Sequence, residues 1–224
     1  MVLLSPLTEY LETPGEHVFS LAGQVGPLEI ALMVPEQADT RYIALLGHPH
    51  SLHGGTMNNK VVTTLARAFK ELGIASLRFN FRGVGQSAGL YDEGLGESED
   101  MLLLAHQGLH DRPDVCFIFA GFSFGSYVAY RAAAHCKLLL LITVAPSVEH
   151  FNYAEFSPAP TPWVVVQGDD DEVVSVKSVL DFVACASPAL SLRRFAETGH
   201  FFHGKLIDLK STIIEIVRQH VAVR

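Results

Sequence analysis

The chain has 224 residues, of which 49% are hydrophobic and 18% charged, and its formal net charge is −8. This composition excludes a disordered chain, and the length predicts a single α/β domain over residues 1–224. The negative charge argues against nucleic acid or an anionic membrane as the main partner.

Cysteine usage and apolar runs bear on the cellular compartment. Cys116, Cys136 and Cys185 are odd in number, and none has a Cys-x-x-Cys or metal-ligand spacing. The N-terminal sequence lacks the basic segment and the apolar length of a signal peptide. The longest apolar run, at residues 138–145, is far shorter than a membrane span. We therefore expect a soluble, cytoplasmic protein.

Short apolar stretches alternate with amphipathic ones along the chain. Residues 17–21 and 28–34 flank a Gly- and Pro-containing turn, which predicts an antiparallel hairpin. The stretches that are nearly continuously apolar predict buried strands, at residues 41–46, 74–79, 115–120, 137–144, 163–167 and 190–195. Apolar residues at helical spacing predict the intervening helices, at about residues 60–72, 98–110, 127–135, 176–183 and 206–217. Asn58 and Asn59 are candidate caps of the first of these helices, Gly73 ends it, and Ser175 is a candidate cap of the fourth. This alternation predicts a mostly parallel sheet covered by helices on both faces.

One motif lies between a buried strand and a helix. Gly121-Phe-Ser123-Phe-Gly125 has the Gly-x-Ser-x-Gly pattern, and its setting is that of a nucleophile elbow. A serine at the tip of so sharp a turn requires nearly side-chain-free neighbours two residues away on either side, and glycine meets that requirement. The motif therefore predicts an exposed, reactive hydroxyl at Ser123.

Two other predicted strands are followed by residues suited to acid–base chemistry. The strand at 163–167 leads to Asp169, Asp170 and Asp171, and the last strand leads to His200. Because the carboxyl ends of parallel strands meet at one crevice, these loops should converge on Ser123. The chain order is serine, aspartate, histidine, and on the residues alone any of the three aspartates fits it.

These motifs together resemble the α/β-hydrolase superfamily, and the resemblance covers nearly the whole chain from residue 41. The segment His-Pro-His-Ser-Leu-His-Gly-Gly-Thr at residues 48–56 further resembles a small, cap-less branch of predicted hydrolases. That branch is related to dienelactone hydrolases and to serine-aminopeptidase-like proteins. The resemblance implies an α/β-hydrolase fold with an N-terminal antiparallel hairpin and no cap domain.

The resemblance also implies roles for individual residues. Ser123 corresponds to the nucleophile and His200 to the base that activates it. The family pattern places the acid at Asp171, with Asp170 as the alternative. The oxyanion hole would use the backbone N–H of Phe124 and one from the loop after the first buried strand. Many relatives have His-Gly-x in that loop, and since Pro49 has no N–H here, His50 is the better candidate.

Two further groups of residues bear on alternative kinds of site. His48, His50 and His53 lie within six residues, but without a partnered carboxylate they are weak grounds for a metal site. Arg82 and the glycines after it match neither a P-loop nor a dinucleotide fingerprint, which favours a structural loop. We therefore expect no metal and no cofactor.

The segment at residues 145–162 bears on the substrate. A lid is usually inserted at this point of the fold, and a segment this short with four prolines leaves no room for a helical cap. The crevice should therefore be open to a small-molecule acyl substrate, and an ester, thioester, lactone or small amide is compatible with it. The sequence predicts a serine hydrolase of the carboxylesterase type; the alternatives are a non-catalytic binding or scaffold protein on the same fold and a small amidase or peptidase.

Overall fold

A computed structural model describes residues 6–109 and 114–221 of the chain. The strands are β1 Gly15–Ala22, β2 Pro27–Val34, β3 Tyr42–Gly47, β4 Ala75–Phe79, β5 Cys116–Phe122, β6 Leu138–Val144, β7 Trp163–Gly168 and β8 Ser191–Phe195. The helices are α1 Pro6–Leu11, α2 Lys60–Glu71, α3 Leu95–Leu109, α4 Phe124–Ala133, α5 Val176–Cys185 and α6 Leu206–His220.

The described strands form one sheet in the order β1-β2-β4-β3-β5-β6-β7-β8. β1 and β2 form the predicted antiparallel hairpin, with Gly15 opposite Val34, and β2 pairs antiparallel with β4. All pairs from β4 through β3 to β8 are parallel. The predicted fold class is therefore confirmed, and the carboxyl ends of β3 and β5 to β8 lie at one edge.

Apolar side chains fill both faces of the sheet. One core combines alternate strand residues with α1, α3, α4 and α5 and contains Phe119, Val128 and Trp163. The other combines the opposite strand residues with α2 and α6 and contains Ile118 and Ile213. Because β3, β5, β6 and β7 are largely buried on both faces, their sequences are nearly continuously apolar, whereas the equally buried β4 contains Ser76 and Arg78.

Several helix boundaries follow the predicted signals. The side chain of Asn59 caps α2 by accepting the N–H of Val61 at 2.9 Å. Gly73 follows that helix with φ of 72°, a backbone conformation that glycine adopts without strain. Ser175 caps α5, accepting from the N–H of Ser178 at 3.2 Å.

Other boundaries differ from the sequence prediction. α3 begins at Leu95, three residues early, because the Glu97 carboxylate accepts the N–H groups of Asp92 and Gly94 at 2.9 Å each and so stabilises that turn. The predicted end of this helix at residue 110 lies outside the described residues. α4 begins at Phe124 rather than at residue 127, directly after Ser123. α1 had no counterpart in the prediction, since its six residues are too few to show a helical period.

The connection between β6 and β7, residues 145–162, contains no helix or strand. Its aromatic residues pack onto α4: the Phe156 backbone N–H donates to the Tyr130 hydroxyl at 3.1 Å, and Tyr153 meets the same ring at 5.2 Å. The carboxyl edge of the sheet therefore has no cap domain from this segment, as predicted. Within residues 6–109 and 114–221, no helix is long and apolar enough to cross a membrane.

Candidate active site

Ser123 occupies a sharp turn between β5 and α4. Its backbone has φ of 55° and ψ of −120°, a conformation that costs a non-glycine residue about 1–3 kcal/mol. The Ser123 N–H donates to the Val144 carbonyl at 2.9 Å, and the Ser123 carbonyl accepts from Ser126 at 2.9 Å. Ser123 is 8% exposed, so the prediction of an exposed hydroxyl is wrong: the residue is buried in the turn, and its side chain makes no capping hydrogen bond to α4. The turn thus directs the hydroxyl away from the helix that it begins.

The two glycines of the motif permit the close approach of three chain segments. A Cβ at Gly121 would lie 2.0 Å from the Gly125 carbonyl oxygen. A Cβ at Gly125 would lie 2.4 Å from the carbonyl carbon and oxygen of Gly47, at the end of β3. A side chain at either position would displace backbone, so the glycine spacing is a steric requirement of this turn.

Asp171 and His200 form a buried pair at the ends of β7 and β8. His200 Nδ1 lies 2.9 Å from Oδ2 and 3.1 Å from Oδ1 of Asp171, and both side chains are at most 2% exposed. Since an ionised carboxylate only accepts, Nδ1 carries the proton and Nε2 is left as the acceptor. Burial raises the pKa of Asp171, but the hydrogen bond from His200 and those from the N–H groups of Val174 and Val173 outweigh it and hold that pKa below its usual value.

The structure distinguishes Asp171 from the aspartates before it. Asp170 is exposed, and its backbone N–H donates to the Thr198 carbonyl at 3.0 Å. Asp169 accepts from Arg194 Nε at 2.8 Å. Both lie in the turn that follows β7, and only Asp171 contacts the imidazole.

The imidazole lies against the residue that precedes the serine. The His200 ring is 4.8 Å from the Phe122 ring, centroid to centroid. Among the described residues, the hydrogen-bond partner of Ser123 Oγ is Ser147 Oγ at 3.4 Å, and none joins it to His200. The structure therefore brings Asp171 and His200 together beside the elbow, with the serine hydroxyl directed toward Ser147.

The two residues proposed as oxyanion donors contact each other through their side chains. Phe124 is the first residue of α4, so its N–H has no acceptor within the helix. His50 lies in the loop after β3, its ring 5.0 Å from the Phe124 ring, and among the described residues its backbone N–H makes no hydrogen bond. Burial lowers the pKa of the His50 imidazole, and His53 and His150 lower it further.

His48 has a structural role instead. Its Nδ1–H donates to the Pro49 carbonyl at 2.6 Å, and its Nε2 accepts the Phe81 N–H at 2.9 Å. The ring is fully buried, and burial lowers the pKa of His48 to about 4, against a smaller opposing effect of the Pro49 carbonyl. A neutral His48 thus joins the loops after β3 and β4 and fixes the position of His50.

The remaining histidines of residues 48–56 and Arg82 make contacts within the protein. The described residues contain no group of three or more His, Cys, Asp or Glu that could hold a metal ion. His50 and His53 instead stack, with ring centroids 4.6 Å apart. Arg82 is buried and donates to the Asp100 carboxylate at 2.7 and 3.2 Å, which anchors its loop to α3.

Three residues at the site were missed by the sequence analysis. Ser147 follows β6 and contacts the Ser123 hydroxyl. Glu172 accepts the backbone N–H of His200 at 3.0 Å, and Gln167 donates from Nε2 to Asp171 Oδ2 at 3.0 Å. Their position at or just after the carboxyl ends of β6 and β7 was the available signal, since polar residues there face the crevice.

A cleft of about 620 Å³ opens at Ser123. It is lined by residues of the loops after β3, β4, β6 and β7, of the turn at Ser123, and of the first turns of α3 and α4: His50, His53, Tyr91, Glu93, Leu95, Ser123, Tyr127, Ser147, His150, Phe151, Asn152, Val173 and Val174. A larger cavity of about 730 Å³, lined by residues 35–41 and 70–73, lies before β3 and after α2 and contains neither a serine nor a histidine. Chemistry at Ser123 therefore belongs to the first cleft, whose size is that of a small-molecule site.

Comparison with solved structures finds proteins similar to this chain over nearly its whole length. An α/β serine hydrolase without a lid from Xanthomonas campestris is 42% identical, with a TM-score of 0.89 over 95% of this chain and 97% of that chain. An α/β serine hydrolase homologue from Coxiella burnetii is also 42% identical, with a TM-score of 0.86 over 90% of this chain and 97% of that one.

Comparison of sequences adds a further relative. An uncharacterized protein of Rickettsia prowazekii is 36% identical over 146 residues, which are 63% of this chain and 61% of that protein. The match thus spans less than two thirds of this relative. No protein-family model matches the chain. The similarity to the two solved structures over nearly their whole lengths shows that the chain belongs to the lid-less α/β serine hydrolases.

Proposed function

We propose that the chain is a serine hydrolase that cleaves a small carboxylic ester or related acyl bond through an acyl-enzyme on Ser123. The observation that carries the proposal is the buried Asp171–His200 pair, whose imidazole packs on Phe122, next to Ser123 at the elbow. Membership of the serine hydrolases supports hydrolase activity in general.

In this proposal His200 is the general base. Asp171 holds the proton on Nδ1, so Nε2 is free to accept a proton, and the carboxylate stabilises the imidazolium that results. A rotation of the Ser123 side chain turns Oγ from Ser147 toward Nε2. The hydrogen bond to Ser147 that this rotation breaks is long, at 3.4 Å, and therefore weak.

The proposed reaction has two steps, formation of the acyl-enzyme and its hydrolysis. Ser123 Oγ bonds to the acyl carbon while its proton passes to His200 Nε2, and the N–H groups of Phe124 and His50 donate to the developing oxyanion. The intermediate collapses, the leaving alcohol takes the proton from Nε2, and the acyl group stays on Oγ. A water molecule, deprotonated by the same nitrogen, then releases the carboxylic acid and restores the serine.

Labelling with a fluorophosphonate probe tests the proposal, because such a probe modifies only an activated serine. We expect labelling at Ser123 and turnover of p-nitrophenyl acetate, both abolished by Ser123→Ala. Ser211→Ala is the matched control, since Ser211 lies exposed on α6 and its hydroxyl donates only to the Ile207 carbonyl at 3.1 Å. Full turnover in Ser123→Ala, or an unlabelled wild-type chain without turnover, would contradict the proposal and favour a binding protein.

A further inference from the structure

Aromatic rings form a continuous part of the cleft wall. Tyr91, Tyr127 and Phe151 all line the cleft at Ser123. Tyr127 and Phe151 stack with centroids 4.7 Å apart, and Phe151 lies 5.3 Å from the buried ring of Phe124. Tyr91 meets that same ring at 5.5 Å, so Phe124 joins the three lining rings into one surface. We call Tyr91, Tyr127 and Phe151 the aromatic wall.

The polar atom of Tyr127 is already engaged. Its hydroxyl donates to Glu155 Oε2 at 3.3 Å and accepts from Arg131 Nη1 at 3.3 Å, and Arg131 and Glu155 form an ion pair. Tyr127 is 6% exposed, so it offers a ligand only a small part of its ring, while the half-buried Tyr91 and Phe151 are more open to the cleft. The contacts also hold that ring in place, so stacking on it orders little that was mobile before binding.

Charge at the cleft is unfavourable for an anion. Among the described residues that line it, Glu93 is the one carboxylate, and none is a lysine or arginine. A ligand carboxylate near the aromatic wall would meet Glu93 and find no fixed cation to replace its hydration. An uncharged ring has no such desolvation cost and gains offset or edge-on contacts with the wall.

Resting on the proposed acyl transfer at Ser123, we propose that the substrate is an uncharged ester bearing an aromatic ring that packs on Tyr91, Tyr127 and Phe151. The ring belongs to either the acyl or the alcohol part. Separate ester pairs distinguish the two cases.

Matched ester pairs measure the preference. Methyl 3-phenylpropanoate against methyl 3-cyclohexylpropanoate tests the acyl side, and benzyl acetate against cyclohexylmethyl acetate tests the alcohol side. Each pair exchanges a planar aromatic ring for a puckered saturated ring with the same number of carbon atoms. We expect kcat/KM about three- to tenfold higher for the aromatic member of at least one pair. A para-carboxylate on the preferred aromatic ester should lower kcat/KM by about tenfold or more.

Variants of the wall assign the preference to its residues. In Phe151→Leu and Tyr91→Leu we expect the aromatic-to-cyclohexyl ratio to fall toward one. Tyr10→Leu is the matched control, because Tyr10 stacks on Phe19 outside the cleft, and it should keep the wild-type ratio. A ratio unchanged in both wall variants would overturn the assignment.

Two measurements separate failure of this inference from failure of the proposed function. If the fluorophosphonate probe labels Ser123 but both ratios are one or lower, the substrate class is wrong and the hydrolase proposal stands. Binding of the same pairs to Ser123→Ala, followed by saturation-transfer NMR, tests the ring preference without turnover. Equal binding of the aromatic and cyclohexyl members there would also overturn the inference, and stronger binding of the aromatic member would support it.

Discussion

Replacing Asp171 by asparagine is the sharpest test of the proposed mechanism. Oδ1 of Asp171 accepts the N–H groups of Val173 and Val174 at 2.9 and 2.8 Å, while Oδ2 faces Gln167 Nε2 at 3.0 Å and His200 Nδ1 at 2.9 Å. In Asp171→Asn the amide oxygen is expected to stay with the two backbone donors. The amide NH₂ group then takes the place of Oδ2 and faces two donors.

The expected consequence is a change of tautomer in the histidine. His200 can accept from the new amide only by moving its proton from Nδ1 to Nε2, and Nε2 then cannot take a proton from Ser123. In a serine–histidine–aspartate arrangement, the wrong tautomer lowers kcat by about 10,000-fold. We therefore expect a loss of about 1,000- to 10,000-fold in kcat/KM for p-nitrophenyl acetate, with a similar fall in the rate of fluorophosphonate labelling.

The neighbouring aspartate provides the control. Asp170 is exposed and makes no contact with the imidazole, so Asp170→Asn should retain activity within about twofold. Urea unfolding of each variant separates a change in chemistry from a loss of fold. If a folded Asp171→Asn chain keeps more than one tenth of the wild-type activity, or if Asp170→Asn loses as much as it does, the proposed role of Asp171 is wrong.

Three further outcomes concern the supporting residues. Gly125→Ala should lower the free energy of unfolding by about 3 kcal/mol or more, since its Cβ would overlap the β3 backbone at 2.4 Å. The control Gly54→Ala should cost only about 1 kcal/mol, because Gly54 has φ of 77° but no atom within 4 Å of the added Cβ. Equal losses of the two variants in urea unfolding would refute the steric explanation. The pKa of His48 is about 4 in the folded state and about 6.5 in an unfolded chain, so the folded state binds fewer protons between these values. His48 therefore contributes about 3 kcal/mol of stability above pH 6.5 that is lost as the pH falls to 4. The slope of the unfolding free energy against pH should shrink in His48→Gln, and an unchanged slope would refute this role of His48. Ser147→Ala removes the hydroxyl that lies 3.4 Å from Ser123 Oγ, a hydrogen bond of about 0.5 kcal/mol, so fluorophosphonate labelling should become about twofold faster. Labelling slower than half the wild-type rate would show that Ser147 does more than hold the Ser123 hydroxyl before reaction.

The local pattern of the chain was sufficient to predict most of the fold and the elbow. Apolar runs bounded by turn residues located the strands, because a strand buried on both faces is apolar along most of its length. The glycines around Ser123 were equally informative, because only a residue without a Cβ fits at Gly121 and Gly125. The alternation of strands and helices then determined that the loops bearing Ser123, the three aspartates and His200 meet at one edge.

Only the tertiary structure decided which side chains meet there. Asp170 and Asp171 are adjacent and chemically identical, and the path of the turn after β7 alone directs the second toward His200. The roles of His48 and Ser147 were also visible only in the tertiary structure. His48 is buried and joins two loops, and Ser147 contacts the Ser123 hydroxyl from the loop after β6. Such contacts join residues far apart in the chain, and strand register and loop path set their distances, so no local period in the sequence encodes them.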